Sequence, residues 1–161
     1  MVGLHIATVL TFAALLLWAA GEDIRRLTIS NWVSLAMIGL YPIHVLVSPV
    51  PVNWPISLAI AALTFAVGFF LFAWKTVGGG DVKLLTATSL WTTPALFPGF
   101  IFLTTIAGGV IGLAILLRRR RMAPAAADSG HSAGPAVMPY GVAIAIGGLM
   151  VALTILKGTI L

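Results

Sequence analysis

The sequence predicts an all-α integral membrane protein of about six transmembrane helices, forming one polytopic domain over residues 1–161. Three observations carry this. The chain is 60% hydrophobic and only 8% charged, where soluble chains carry about 25% charged residues. Its mean hydropathy is +1.12. The apolar residues also fall in runs close to the ~20 residues needed to cross a ~30 Å hydrocarbon core.

In chain order, Met1 to Ala20 is a first span. It reads as a retained helix rather than a signal peptide, because no Lys or Arg precedes Arg25. Gly21 to Asn31 is a polar knot. Trp32 to about Val47 is a second span, with Ser30 or Asn31 placed to cap it, Pro42 placed to kink it, and Trp32 and Tyr41 near the two interfaces. A turn with Pro49, Pro51 and Pro55 leads to a third span, Ile56 to Trp74. Lys75 to Lys83 is a second knot, containing Gly78, Gly79 and Gly80. Val82 to Leu117 covers 36 residues, roughly 54 Å of helix and too long for one span. Pro94 and Pro98-Gly99 divide it into a short fourth span, about Val82–Thr93, and a fifth, about Phe97–Leu117. Residues 118–137 read as a flexible cytoplasmic loop, and Met138 to Leu161 as the sixth span, opening with Pro139-Tyr140-Gly141.

Charge supports this division. With six spans, Arg25, Arg26, Lys75, Lys83 and Arg118 to Arg121 all face one side, leaving only Lys157 on the other. Cations concentrate on the cytoplasmic side, so the N-terminus is expected outside and both polar knots inside. The net charge of +5 is therefore assigned to topology and the lipid bilayer, not to a nucleic-acid partner. Zero cysteines exclude disulfides, thiolate zinc sites and a cysteine nucleophile. The sequence sets no oligomeric state.

All four acids, Glu22, Asp23, Asp81 and Asp128, then share the cytoplasmic face. Ionisable groups at membrane segments are expensive and point to function. Two carboxylates brought close cannot both ionise easily, so one keeps a proton while the other stays charged. The charged member can take a proton from water while the protonated member polarises a peptide carbonyl. This chemistry needs no metal and no cofactor. The glycines before Asp81 are expected to supply positive φ and to keep side chains away from a substrate backbone. A plainer role fits the same residues: Asp81 as a cap of the fourth helix, Asp23 as a solvated loop acid beside Arg25 and Arg26.

Asp23-Ile24-Arg25-Arg26-Leu27-Thr28-Ile29-Ser30-Asn31 and Gly78-Gly79-Gly80-Asp81-Val82-Lys83 resemble the two motifs of the type IV prepilin peptidases, membrane aspartic proteases of the Gly-x-Gly-Asp class. The stretch from Pro139 to Ala145 resembles the opening of that family's last helix. The resemblance implies Asp23 and Asp81 as the catalytic pair. Gly78, Gly79, Gly80, Lys83, Glu22 and Asn31 are then expected around the substrate and its loops, and Ile29 shapes the first loop. Ser30 stands where the family commonly has Pro. The chain lacks the Cys-x-x-Cys insert of larger members, so it looks like the short subfamily serving Flp or tight-adherence pili, without N-methyltransfer. The implied partners are prepilins or pseudopilins, cut after a short basic leader at the cytoplasmic face of the bacterial inner membrane. Two other readings stand beside this one. One is a presenilin-like protease, which would place its first Asp inside a helix. The other is a small transporter or assembly scaffold without proteolysis. His5 and His44 read as packing residues, and Gly108, Gly109 and Gly112 as a helix-packing face.

Overall fold

A computed structural model describes residues 1–126 and 138–160. It contains six helices: α1 (Val2–Arg26), α2 (Asn31–Val47), α3 (Trp54–Ala73), α4 (Gly79–Ser89), α5 (Phe97–Ala126) and α6 (Tyr140–Ile160). No strand occurs among the described residues. α1, α3, α5 and α6 are long and apolar enough to cross a membrane. α2 is shorter, at 17 residues with Pro42 inside it. α4 has only 11 residues, about 16 Å of helix, or half a hydrocarbon core.

Two boundaries differ from expectation. α1 does not stop at Ala20 but runs to Arg26, so the first polar knot is mostly the helix's last turns. Arg25 and Arg26 there face the negative end of the helix dipole, which favours cations. Leu27 then ends the helix in the left-handed region, φ 52, with its N–H donated to the Asp23 carbonyl. α5 likewise continues past Leu117 through the arginines to Ala126; Arg and Ala are good helix formers. The remainder of the expected loop, with Asp128 and His131, lies outside the described residues.

α4 is the centre of the packing and touches α2, α3 and α6, while α1 packs on α2 and α6 and α5 packs on α6. The fully buried side chains include Phe12, Leu16, Met37, Leu84, Phe100, Ile144 and Val151. Small residues let the helices close. A Cβ on Gly68 of α3 would lie 2.7 Å from Val82 of α4, and one on Gly148 of α6 would lie 2.7 Å from Leu16 of α1. Gly108 and Gly112 of α5 receive Tyr140 and Met138, whereas Gly109 faces open space. Outside this core, Leu63, Phe65, Phe69, Phe70, Phe102, Val110 and Leu113 are exposed, as a lipid-facing surface requires. The Gly68–Val82 contact also fixes depth. Asp81, one residue before Val82, lies roughly 6 Å short of the end of α3, counting 1.5 Å per residue.

The two ends of the bundle are unlike. Lys75, Lys83, Arg25 and Arg26 sit at the end that carries Asp23 and Asp81. The opposite end holds an aromatic cluster of His5, Tyr41, His44 and Trp91 beside a small cavity of about 200 Å³. The His5 and His44 rings are 5.0 Å apart, and Trp91 stacks on Phe12 at 4.2 Å. The Trp91 indole N–H donates to the Met37 carbonyl at 3.2 Å. Tyr41 is thus a buried packing residue and not an interface anchor, while Trp32 is 49% exposed. Neither His5 nitrogen has a hydrogen-bond partner.

An apolar side chain of similar volume removes that unmet demand. His5→Leu is therefore expected to keep or raise the melting temperature in detergent, while His5→Ala loses about 2 kcal/mol by opening a cavity. A large loss in both variants would show that the imidazole has a polar role.

Candidate active site

Asp23 continues a core stripe. Phe12, Leu16, Ala19 and Asp23 follow one another at steps of four, three and four, and all are buried, the spacing of one helix face. The stripe carries the carboxylate into the bundle, where Asp23 is 3% exposed. Its Oδ2 accepts the Gly141 N–H at 2.6 Å, and the Val142 N–H also donates to it. These are the second and third residues of α6. Their N–H groups have no partner within their own helix, and the first turn favours negative charge. Asp23 therefore caps α6 from across the bundle. Only glycine fits at the contact: a Cβ on Gly141 would lie 2.8 Å from both Asp23 Oδ2 and Ile29 Cδ1.

Asp81 is the third residue of α4, and the helix cap is Gly78, not Asp81 itself. The Asp81 side chain accepts the Gly78 N–H, the backward reach of a capping box. Gly78 is extended, with φ −70 and ψ 144. The expected positive φ at the glycines is absent; the left-handed non-glycine residues are Leu27 and Lys75. The glycines instead permit contact. A Cβ on Gly80 would lie 3.3 Å from Ile29 Cβ, and one on Gly79 would lie 3.3 Å from the Phe72 ring. Ile29 is thus wedged between Gly80 of α4 and Gly141 of α6.

Both aspartates line one cavity of about 920 Å³, together with Leu27–Ile29, Phe72, Ala73, Lys75–Gly80, Met138 and Tyr140. Asp81 lies outside the long spans. Burial and then the negative charge of Asp23 raise its pKa to about 6, against the opposing Gly78 N–H. Asp23 is thus held by backbone donors, beside an Asp81 that readily keeps its proton. No group of three or more His, Cys, Asp or Glu that could hold a metal occurs among the described residues.

The other candidate residues lie around the cavity and do not line it. Lys83 Nζ donates to Asn31 Oδ1 at 2.9 Å, joining the start of α4 to the start of α2. Glu22 Oε2 accepts the Ser30 N–H at 3.0 Å, and Oε1 accepts its hydroxyl at 2.9 Å. Ser30 is the N-cap residue of α2 but makes no side-chain cap bond, because Glu22 holds that hydroxyl. Sequence reasoning missed Gly141 as a partner of Asp23. The Pro139-Tyr140-Gly141 opening was visible, but its contact spans 118 residues of sequence.

The raised pKa of Asp81 has a sign. The folded protein binds this proton more tightly than the unfolded chain does, so stability falls as pH rises from about 4 to about 6 and the contribution is absent above that. Asp81→Asn keeps an acceptor for the Gly78 N–H and removes the charge. Thermal melts should show the variant gaining on wild type between pH 4.5 and 7.5, by about 1–2 kcal/mol after solvent screening is discounted. A pH-independent difference would contradict the assignment.

Comparison with protein families matches residues 10–113 to the model of the type IV leader peptidase family. The match includes Asp23, Asp81 and the glycines, and stops short of α6. No curated protein and no solved structure matches the chain. With well over half its length matched, including both motifs that form the cavity, the chain belongs to the type IV leader peptidase family.

Proposed function

We propose that the protein is a membrane aspartic endopeptidase that removes the short basic leader of prepilins, of the Flp or tight-adherence kind, at the cytoplasmic face of the inner membrane. The observation that carries this is the meeting of Asp23 and Asp81, from two distant segments, in one cavity near the end of the membrane spans. Family membership supports the peptidase part of the reading.

The roles follow from the surroundings of each carboxylate. Asp23, facing the Gly141 and Val142 N–H groups, is the base. It takes a proton from a water lying between the pair, and the water oxygen attacks the scissile carbonyl carbon. Asp81, with its raised pKa, gives its proton to the carbonyl oxygen. The resulting gem-diol collapses when the C–N bond breaks. The proton on Asp23 passes to the leaving amine, and a diol hydroxyl returns a proton to Asp81. No other co-reactant is needed.

The cavity, about 920 Å³, is large enough for a short extended peptide. It opens where the described cations of this end cluster, so a basic leader is not drawn in by charge on the rim. Glu22 keeps its charge but lies outside the cavity, where it is bonded to Ser30, so it faces the leader only from beside the site. Recognition then falls on the substrate's membrane helix and on the dyad itself. Asp23 lies within α1, where a presenilin-like protease would also place its first Asp; the family match favours the leader-peptidase reading.

Co-expression with a prepilin bearing a Gly-ended basic leader tests the reading. Wild type should trim it, as read by gel shift and N-terminal sequencing, while Asp23→Asn and Asp81→Asn insert normally and leave it full length. Trimming by both variants would sink the mechanism. With purified enzyme, kcat/KM should fall as pH rises above about 6, when Asp81 loses its proton. Gly141→Ala should cut kcat at least tenfold, because its methyl displaces Asp23 and Ile29.

A further inference from the structure

The lipid-facing side of α1 carries a second recess, distinct from the dyad cavity. Ala14, Leu17, Trp18, Gly21, Glu22, Arg25 and Arg26 line a groove of about 510 Å³. Ala14, Leu17, Trp18, Arg25 and Arg26 are exposed. A Cβ on Gly21 would meet nothing within 4 Å, so this residue is an open notch in the groove floor. Trp18 meets Trp32 of α2 edge to face at 5.9 Å, which walls the groove on one side.

The two ends of the groove differ in chemistry. Ala14, Leu17 and Gly21 offer an apolar floor, while Arg25 and Arg26 stand at the cationic end of α1. Ala14 and Arg25 are eleven positions apart, about 16 Å along the helix. That is close to the ~15 Å depth of acyl chains in one leaflet, half of a ~30 Å core. The one acid in the wall, Glu22, keeps its charge: it is held by the Ser30 N–H, the Ser30 hydroxyl and the Trp18 side chain, and it interacts with Arg26. Two arginines against this one acid still leave the cationic end net positive, with Arg25 the freer of the two.

We propose that this groove is a binding site for an anionic phospholipid, with one acyl chain along Ala14, Leu17 and Gly21 and the phosphate held by Arg25 and Arg26. The guanidinium groups suit a phosphate, and Trp18 and Trp32 suit the headgroup boundary. The inference is independent of what the dyad cleaves. It gives the lipid a structural role, because the same last turns of α1 carry Asp23 on their buried face.

The test uses the full chain, carried on a tag without histidine, in nanodiscs of phosphatidylcholine with or without phosphatidylglycerol. The expected results are a phosphatidylglycerol-dependent rise of several degrees in melting temperature and retention of one such lipid in native mass spectrometry. Arg25→Gln/Arg26→Gln should abolish both effects, while Arg118→Gln/Arg120→Gln keeps them. Gly21→Leu fills the notch in open space, so it should melt like wild type in phosphatidylcholine yet lose lipid retention at least tenfold. Equal effects of the two arginine pairs would overturn the site, as would equal retention of phosphatidylcholine or undiminished lipid binding by Gly21→Leu.

Discussion

The structure depends on one buried carboxylate that caps a helix from which it is 118 residues distant in sequence. A charged group removed from water costs several kcal/mol unless donors replace the water. The start of α6 has free N–H donors with the same difficulty. Asp23 and the first turn of α6 answer each other, and hydrogen bonds to a charged group are among the stronger ones, about 1.5–3 kcal/mol each. The contact fixes the first helix against the last. It also explains why α1 extends beyond its apolar run: the extra turns carry Asp23 to that N-terminus.

Asp81 is held differently. Its donor is local, the Gly78 N–H of its own helix start. The loop that bears it is located by steric contact, through Gly80 on Ile29 and Gly79 on Phe72, and by the Lys83–Asn31 hydrogen bond. One carboxylate is thus fixed by charge-assisted bonds and the other by packing. Burial and the neighbouring charge of Asp23 make Asp81 the one that readily keeps a proton. Ile29 touches the neighbourhood of both, since it lies between Gly80 and Gly141. A change there reaches both carboxylates at once.

Much of this was legible in the sequence. Pro94 and Pro98-Gly99 correctly divided the long apolar stretch, because α4 ends at Ser89 and α5 begins at Phe97. The two motifs located the carboxylates. The end of α1 was misread because Glu22, Asp23, Arg25 and Arg26 look like a loop by polarity alone. The spacing from Phe12 to Asp23 contradicts that, since it keeps one helix face through the acid. The glycines before Asp81 were expected to supply positive φ and do not; Gly80, and Gly141 of α6, matter for the room they leave, which depends on a neighbour that no local pattern reveals. Tyr41 was misplaced for the same reason: its partner Trp91 lies far off in sequence, beyond another helix.

The last turns of α1 combine these roles on two faces. Asp23 points inward to α6, while Glu22, which ties the following loop through Ser30, shares the outer groove with Arg25. Consecutive helical residues are about 100° apart, so none of these contacts can shift by rotation without disturbing the others. Leu27 ends the helix in a left-handed conformation unusual for a branched residue, which fixes where the rotation stops. The position of Asp23 is therefore set jointly by core packing, by its bonds to the start of α6, and by the loop held through Ser30. Asp23 is thus held near a helix end by contacts with the core, with the start of α6 and, through Glu22, with the following loop, which compensates for the fraying that helix ends otherwise show.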